Sequence, residues 1–213
     1  MIARRIVLAG GACLAAVRPA AAALPVPPGN RLAFSIVRKG SAIGTHVLTF
    51  EPSGDRLTVR VAADIAVSLG PLVLFRYRHR ATERWEGEQV VSVDAETNDD
   101  GTAVKTRMWR EGGVLMVEGT ETPRYGAPPN ASPATHWNKS MLLGPLINTQ
   151  DGKLMRPAIT PLGIGVIPGY PHPASGFALR GDADLDTWYD ATPRWVGLRF
   201  NGRDGTEIRY EQA

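Results

Sequence analysis

Residues 57–68 read Leu-Thr-Val-Arg-Val-Ala-Ala-Asp-Ile-Ala-Val-Ser and alternate apolar side chains with smaller or more polar ones. One row contains the larger apolar residues Leu57, Val59, Val61, Ile65 and Val67. A period of two is that of a β-strand, whose successive side chains point to opposite faces of a sheet. The stretch therefore predicts a strand with one face on a core and the other towards solvent or a lumen.

The same period recurs on both sides of this strand, and turn residues separate the repeats. The further alternating segments are 32–38, 43–51, 73–85, 90–98, 103–110, 114–118, 177–180, 185–189, 195–200 and 206–210. The turn pairs are Lys39-Gly40, Ser53-Gly54, Glu86-Gly87, Asp100-Gly101, Gly112-Gly113, Asn201-Gly202 and Asp204-Gly205. Such pairs are typical of β-hairpins. We therefore predict an all-β fold, an antiparallel meander that forms a strongly curved sheet or an incomplete β-barrel.

One hairpin allows a specific register to be predicted. If residues 77–85 pair with residues 90–98 through a three-residue loop at 86–88, the apolar rows of both strands share a face. Arg80 then faces Asp94, and Arg78 faces Glu96. The row of arginines on this strand is thereby balanced by acids of the next strand.

Residues 121–175 have a different composition, because they contain ten of the 17 prolines of the chain. Proline removes a backbone donor, so we predict an insertion that covers one mouth or edge of the sheet. Within it, a short helix is expected around residues 137–143, with Ser132 or Thr135 as its cap and Gly144-Pro145 at its end. Residues 146–147 and 153–155 are expected to form a small hairpin. Trp137 is the expected buried anchor of the insertion.

The N-terminal 23 residues have the order of a secretory signal peptide. Arg4 and Arg5 precede an apolar stretch at residues 6–17, and an Ala-x-Ala site ends at Ala23. We therefore expect cleavage after Ala23, a periplasmic or secreted protein, an N-terminal linker at residues 24–30 and a single β domain at residues 31–213. The general secretory and twin-arginine routes both remain open.

An alternative is a lipoprotein anchored through Cys13. Gly10 stands three residues before Cys13, where a lipidation signal has leucine or a similar apolar residue, so we favour the soluble form. No later segment has 18 uninterrupted apolar residues, so we expect no transmembrane helix.

Removal of the signal peptide changes the charge and the cysteine content. The remaining 190 residues carry 21 Lys or Arg and 21 Asp or Glu, and they lack cysteine. A net charge of zero argues against nucleic acid as a partner. Disulfides, thiolate metal sites and a cysteine nucleophile are excluded.

Five segments of the chain resemble a family of exported bacterial proteins of unknown function, domain-of-unknown-function family 6134. They are Ile43–His46, Tyr77–Glu83, His136–Asn138, Leu146–Thr149 and Gly181–Phe200, and together they extend the resemblance over essentially the whole mature chain. The resemblance implies export and these domain boundaries. It implies no established activity and no catalytic residue.

The candidate ligand-binding residues lie in three places. His136, Trp137 and Asn138 form a polar and aromatic cluster in the insertion, where a histidine can orient a ligand or act as a base. Arg78 and Arg80 can bind an acidic group. The last two candidates are Trp188 and Tyr189, which lie in the segment Gly181–Phe200.

Other polar residues are interpreted as structural. His46 and His79 lie on apolar strand faces, and Asp182, Asp184 and Asp186 alternate on one face. Three carboxylates spaced along a strand are too far apart to hold one cation, and the calcium-loop pattern fails at Thr187 and Pro193. We expect arginine partners for these acids, and we expect no metal, no cofactor and no catalytic residue.

Three hypotheses for function follow. The first is a non-catalytic periplasmic protein that binds a lipid or another apolar or amphipathic small molecule, or an envelope protein partner. The second is a small-molecule hydrolase that uses His136 with acids of residues 182–190. The third is a structural scaffold without a ligand, whose interior would be filled by side chains.

Overall fold

The structure is a computed structural model, in which residues 24–213 are described, except for the side chain of Leu69. Its strands are β1 Arg31–Arg38, β2 Ser41–Ser53, β3 Arg56–Leu69, β4 Leu72–Glu86, β5 Gln89–Asp99, β6 Thr102–Glu111, β7 Val114–Gly119, β8 Tyr125–Gly126, β9 Ser132–Pro133, β10 Leu146–Ile147, β11 Leu154–Met155, β12 Ala158–Ile167, β13 Tyr170–Arg180, β14 Leu185–Tyr189, β15 Trp195–Asn201 and β16 Glu207–Gln212.

Thirteen of these strands form one antiparallel sheet in the order β12-β13-β14-β15-β16-β1-β2-β3-β4-β5-β6-β7-β8. The sheet does not close, since β12 and β8 are its two ends. The predicted fold class, an all-β antiparallel meander with an open, barrel-like sheet, is confirmed. The alternating stretch at 57–68 is β3, one of the two longest strands.

The meander has one pairing that sequence order did not indicate. The last strand, β16, pairs with the first, β1, in an antiparallel register that sets Ile36 opposite Tyr210. The sheet thus consists of an N-terminal half and a C-terminal half joined at this seam.

Gly44 lies where β2 and β3 approach each other closely. A Cβ at this position would fall 2.0 Å from the carbonyl oxygen of Asp64, which is backbone and cannot rotate away. Glycine is therefore required here for close strand packing.

The register predicted for the β4–β5 hairpin is wrong by two residues. Glu86 pairs with Gln89 across a two-residue turn, and a bulge follows between Arg84 and Trp85. Arg80 therefore lies opposite Glu96 instead of Asp94. The bulge restores the parity, so the apolar rows of both strands still share the inner face.

The arginine row of β4 does have acidic neighbours, as predicted, although they come from both sides. Arg80 bonds both carboxylate oxygens of Asp64 on β3, at 2.9 and 2.7 Å, and Arg78 lies 3.4 Å from the same carboxylate. Arg84 pairs with Asp94 on β5 at 3.0 Å. Because Arg78 and Arg80 share one carboxylate, the row is a partly neutralised outer surface.

The insertion is shorter than residues 121–175, since β12 and most of β13 lie within that range. Pro161 is accommodated because β12 is an edge strand. The helix is a single 3-10 turn at Lys139–Leu143, capped by Asn138 in place of Ser132 or Thr135. The predicted hairpin is present as β10–β11, which extends with β9 into a small three-stranded sheet.

Trp137 anchors the insertion, as predicted. Its ring is 1% exposed and makes edge contacts with Phe50 and Trp85, at centroid distances of 5.4 and 5.3 Å. Its Nε1–H donates to Glu83 Oε2 at 3.0 Å, and Trp85 Nε1–H donates to the same oxygen at 3.0 Å. The insertion is therefore attached to the core of the sheet.

The residues expected to be a linker contribute to the fold. Pro28–Asn30 form one 3-10 turn, and Leu24 and Val26 pack on the main core. The predicted signal peptide and Cys13 lie outside the described residues. Over residues 24–213, no helix has the length and apolar character needed to cross a membrane.

Candidate functional site

The curved sheet and the insertion enclose an interior cleft of about 600 Å³. Residues from β1 to β5, from β14 to β16 and from the insertion line it. Its apolar lining consists of Ile43, Leu48, Val61, Ala63, Ile65, Val67, Phe75, Ala134, Leu185, Trp195, Leu198, Phe200 and Ile208. A cleft of this size and composition falls in the range of small-molecule sites.

Strand register orders the wall of the cleft into rows across β2, β3, β4 and β5. From the mouth inwards, the rows are Gly44–Ile65–Tyr77–Asp99, His46–Ala63–His79–Thr97, Leu48–Val61–Ala81–Ala95 and Phe50–Val59–Glu83–Val93. Adjacent rows lie about 7 Å apart, which is two residues of strand rise. Two histidines therefore lie in one row, next to the apolar row Leu48–Val61–Ala81–Ala95.

Two histidines present buried ring nitrogens without a hydrogen-bond partner among the described residues. They are Nδ1 and Nε2 of His46 and Nδ1 of His136. His136 stacks on Trp195 at a centroid distance of 5.3 Å, and His46 meets the same ring edge-on at 5.5 Å. His79 differs, because its Nδ1 lies 2.9 Å from Thr97 Oγ1. The insertion and the sheet thus bring His136 and His46 to one tryptophan.

These imidazoles are neutral at physiological pH. Burial lowers the pKa of His46 to about 3, with smaller contributions from His136 and His79. Burial also lowers the pKa of His79 and His136 to about 4. Each neutral ring carries one N–H donor and one acceptor nitrogen, so the wall offers hydrogen bonds without charge.

Glu83 lies at the inner end of the cleft and is 1% exposed. Burial raises the pKa of its carboxyl group, against hydrogen bonds from Thr135, Trp137 and Trp85 that lower it. The bonds from Thr135 and Trp137, which belong to the insertion, hold the insertion against β4. These contacts indicate a structural role for Glu83.

Two ion pairs stand at the opposite end, the mouth. Arg38 pairs with Asp204, and Arg203 Nη2 lies 2.5 Å from Asp99 Oδ2. The other oxygen of Asp99, Oδ1, is buried and has no partner within residues 24–213. Each of these four charged side chains thus has an oppositely charged neighbour, and the unpaired atom at the mouth, Asp99 Oδ1, is a carboxylate oxygen.

Beyond the mouth, β3 and β4 continue as a two-stranded hairpin. Pairing of β3 with β2 ends at Ile65, whereas its pairing with β4 continues to Leu69. The tip exposes Leu72 (61%) and Leu74 (54%) to solvent. Its inner side, Val67 and Phe75, lines the cleft, so the tip is an apolar extension of the mouth.

Of the seven candidate ligand-binding residues, the structure brings one, His136, into the cleft. Arg78, Arg80 and Trp188 lie on the outer face, where the Arg199 guanidinium covers the Trp188 ring at 5.4 Å. Trp137 and Asn138 are buried supports of the insertion, and Tyr189 packs against Phe177. These six positions are not brought together with His136 in one site.

The lining residues that were not candidates include His46, His79, Tyr77 and Tyr210. Their inward direction follows from strand parity, which was read correctly for His46 and His79. The signal that they share a site is the register across β2, β3 and β4. That register depends on bulges and turn lengths that no single segment shows.

A larger recess, of about 800 Å³, lies on the outer face of β2 to β7. Its polar lining includes Arg80, Arg84's partner Asp94, and the pair Lys105–Glu96 at 2.7 Å. Exposed pairs of this kind are strongly screened by solvent and contribute little. The smaller interior cleft is therefore the candidate site considered below.

The acids of residues 182–190 are engaged with partners of their own. Asp186 bonds Arg180 at 2.6 Å and Arg199 at 2.5 Å, as predicted. The arginine partners predicted for Asp182 and Asp184 are not present among the described residues, since these carboxylates accept hydrogen bonds from the backbone N–H groups of Arg156 and Gly181. Asp190 bonds Arg194 at 3.0 Å. Within residues 24–213, no three His, Cys, Asp or Glu side chains are arranged to hold a metal ion.

The family model for a domain of unknown function, DUF6134, matches residues 34–213. The chain belongs to the DUF6134 family. This DUF6134 match spans the whole curved sheet except the first residues of β1. Among curated proteins, none matches the sequence.

A solved structure similar to this DUF6134 protein is the β-barrel-like protein of the DUF1849 family from Brucella abortus. The two chains share 9% sequence identity at a TM-score of 0.59, over 86% of this chain and 94% of the other. At that identity the similarity is one of fold alone. It agrees with the barrel-like, unclosed sheet seen here.

Proposed function

We propose that this protein is an exported, periplasmic or secreted, non-catalytic binding protein that holds one apolar or amphipathic small molecule in the interior cleft. The observation that carries the proposal is the cleft itself, about 600 Å³ of largely apolar interior behind a neutralised mouth. Burial of apolar ligand surface contributes about 25 cal/mol per Å² before the costs of association. A site of this kind can therefore bind an alkyl chain without any covalent chemistry.

The alternative hypotheses fit the geometry less well. A scaffold without a ligand requires an interior filled by side chains, whereas this one is open. A hydrolase built on His136 requires an acid in contact with it. Asp186 and Asp190 are instead bound to arginines, and His136 stacks on Trp195.

The first test is mass spectrometry of small molecules released from the protein purified from its native envelope. Ala63→Phe fills the cleft between His46 and His79, because Ala63 lies in their row and points inwards. Ala62→Phe is the matched control, since its side chain lies one position along the same strand and points to the outer recess.

We expect a stoichiometric lipid-like molecule in the wild type and in Ala62→Phe, and its loss in Ala63→Phe. An equal amount of the molecule in both variants would place binding outside the cleft. No released molecule from any of the three proteins would remove the support for a carrier.

Docking to an envelope partner is a second candidate, supported by the exposed apolar tip of the β3–β4 hairpin. Its test is a photo-crosslinking residue at Leu74, compared with one at Leu143, which is 85% exposed in the insertion. A discrete adduct from position 74 and none from position 143 is the expected result. The same adducts from both positions would indicate non-specific contact.

A further inference from the structure

The described polar groups of the cleft combine buried imidazole nitrogens with an absence of free positive charge. Neither ring nitrogen of His46 has a hydrogen-bond partner in residues 24–213, and His136 Nδ1 has none there either. A buried donor or acceptor left unpaired destabilises the protein, because it has lost its hydrogen bonds to water. A ligand group that supplies those hydrogen bonds recovers that free energy on binding.

We propose that the ligand is an uncharged amphiphile whose hydroxyl or carbonyl group hydrogen-bonds His46 and His136, with its apolar chain along the cleft. The inference rests on the proposed binding function and narrows its ligand class. It assigns His46 and His136 as the residues that determine specificity for the polar group. Both rings contact Trp195, at centroid distances of 5.5 and 5.3 Å, so the proposed polar group lies beside that tryptophan.

An ionised group is disfavoured by what surrounds the histidines. Arg38 and Arg203, the cations that line the cleft, are already paired with Asp204 and Asp99. A carboxylate or phosphate beside neutral imidazoles would be desolvated without a counter-charge, which is far more costly than burying a hydroxyl group. Asp99 Oδ1, buried without a partner in residues 24–213, adds repulsion for an anion at the mouth.

An ammonium group could pair with Asp99, but that carboxylate lies one row nearer the mouth than His46. A cationic amphiphile held there would leave the nitrogens of His46 and His136 unpaired. A ligand with a hydroxyl or carbonyl group can hydrogen-bond the buried nitrogens of His46 and His136, whereas an anionic or a cationic amphiphile is disfavoured there.

The test compares decanol, decanoate and decylamine at pH 7.5, where the last two are ionised and all three share one alkyl chain. Binding is followed by titration calorimetry, and the imidazole nitrogens are followed by ¹⁵N NMR of histidine-labelled protein. We expect decanol to bind at least about tenfold more tightly than either ion, which corresponds to about 1.4 kcal/mol. We also expect the nitrogen signals of His46 and His136 to shift with decanol, and those of the exposed His172 to stay in place.

His46→Phe removes both hydrogen-bonding nitrogens and keeps a flat ring, and His172→Phe is the matched control outside the cleft. Decanol affinity should fall about tenfold in His46→Phe and be unchanged in His172→Phe. The NMR comparison uses wild-type protein, so it holds even if a variant fails to fold.

The outcomes separate the two proposals. Equal or tighter binding of decanoate or decylamine, or unshifted His46 and His136 signals, would overturn the uncharged ligand class while leaving the carrier in place. Binding of none of the three compounds would overturn the carrier and the ligand class together.

Discussion

Replacing Trp137 by alanine tests whether the insertion is fixed to the sheet. The ring is 1% exposed, and truncation of a buried tryptophan to alanine costs about 3–5 kcal/mol. The loss of the Nε1–H bond to Glu83, 3.0 Å long, places the expected cost towards the upper end of that range. With a urea slope of about 2 kcal/mol per M, the unfolding midpoint should fall by about 2 M.

The assay is urea unfolding followed by far-ultraviolet circular dichroism. Trp109→Ala is the control, because Trp109 lies on the outer face between the Arg107 and Arg124 guanidinium groups, at 5.4 and 5.1 Å. It should cost about 1 kcal/mol or less. Trp137→Phe keeps most of the apolar contact and loses one hydrogen bond to a buried carboxyl group, so about 1–3 kcal/mol is expected. Equal midpoints for Trp137→Ala and Trp109→Ala would refute the anchoring argument.

Two further predictions concern the cleft wall. The pKa values of about 3 for His46 and about 4 for His79 and His136 lie below the 6.5 of an unfolded imidazole, so the unfolded chain takes up protons first as pH falls. Stability is therefore full above about pH 7.5 and lower by about 2.6 kcal/mol per imidazole near pH 4.5; unchanged urea midpoints between pH 7.5 and 4.5 would contradict this. Gly44→Ala should cost about 1–3 kcal/mol because its Cβ meets backbone at 2.0 Å, whereas Gly165→Ala, with nothing within 4 Å, should stay within about 0.5 kcal/mol. Equal shifts in melting temperature for the two glycine variants would count against the close approach.

Local patterns were sufficient to predict the strands, because period and turn chemistry are properties of short segments. The alternation at 57–68 predicted β3 to within a few residues, and the turn pair Lys39-Gly40 correctly separated β1 from β2. The anchor Trp137 was predictable too, since the ordering entropy of the insertion must be offset by its largest apolar side chains.

The register was beyond the reach of local patterns. The two-residue turn moved the pairs next to it by one position, and the bulge between Arg84 and Trp85 moved every pair from Arg84 onwards by two. The row that joins His46 to His79 passes through Ala63 on a third strand, so it depends on two registers at once. The structure places His136, a candidate from the sequence, in the cleft, together with His46, which the sequence led us to interpret as structural.

The end of the insertion was also misjudged, for a different reason. Proline density was taken as evidence against strands, but Pro161 lies on the edge strand β12, where a missing amide donor breaks no ladder. Position in the sheet, which the composition of a segment does not show, decided the outcome.

The seam between β1 and β16 has a consequence for how the chain reaches this structure. Most ladders of the sheet join strands that are neighbours in sequence, and each can form as soon as its own hairpin is complete. The seam joins partners from opposite ends of the chain, such as Ile36 and Tyr210. Closing a loop of that length is slow, so we expect the N-terminal hairpins to form first. The edge of β1 then stays unpaired until β16 adds to the sheet. Strand β16 therefore completes the sheet near its centre and covers the edge of β1, whose unpaired backbone groups could otherwise pair with another chain.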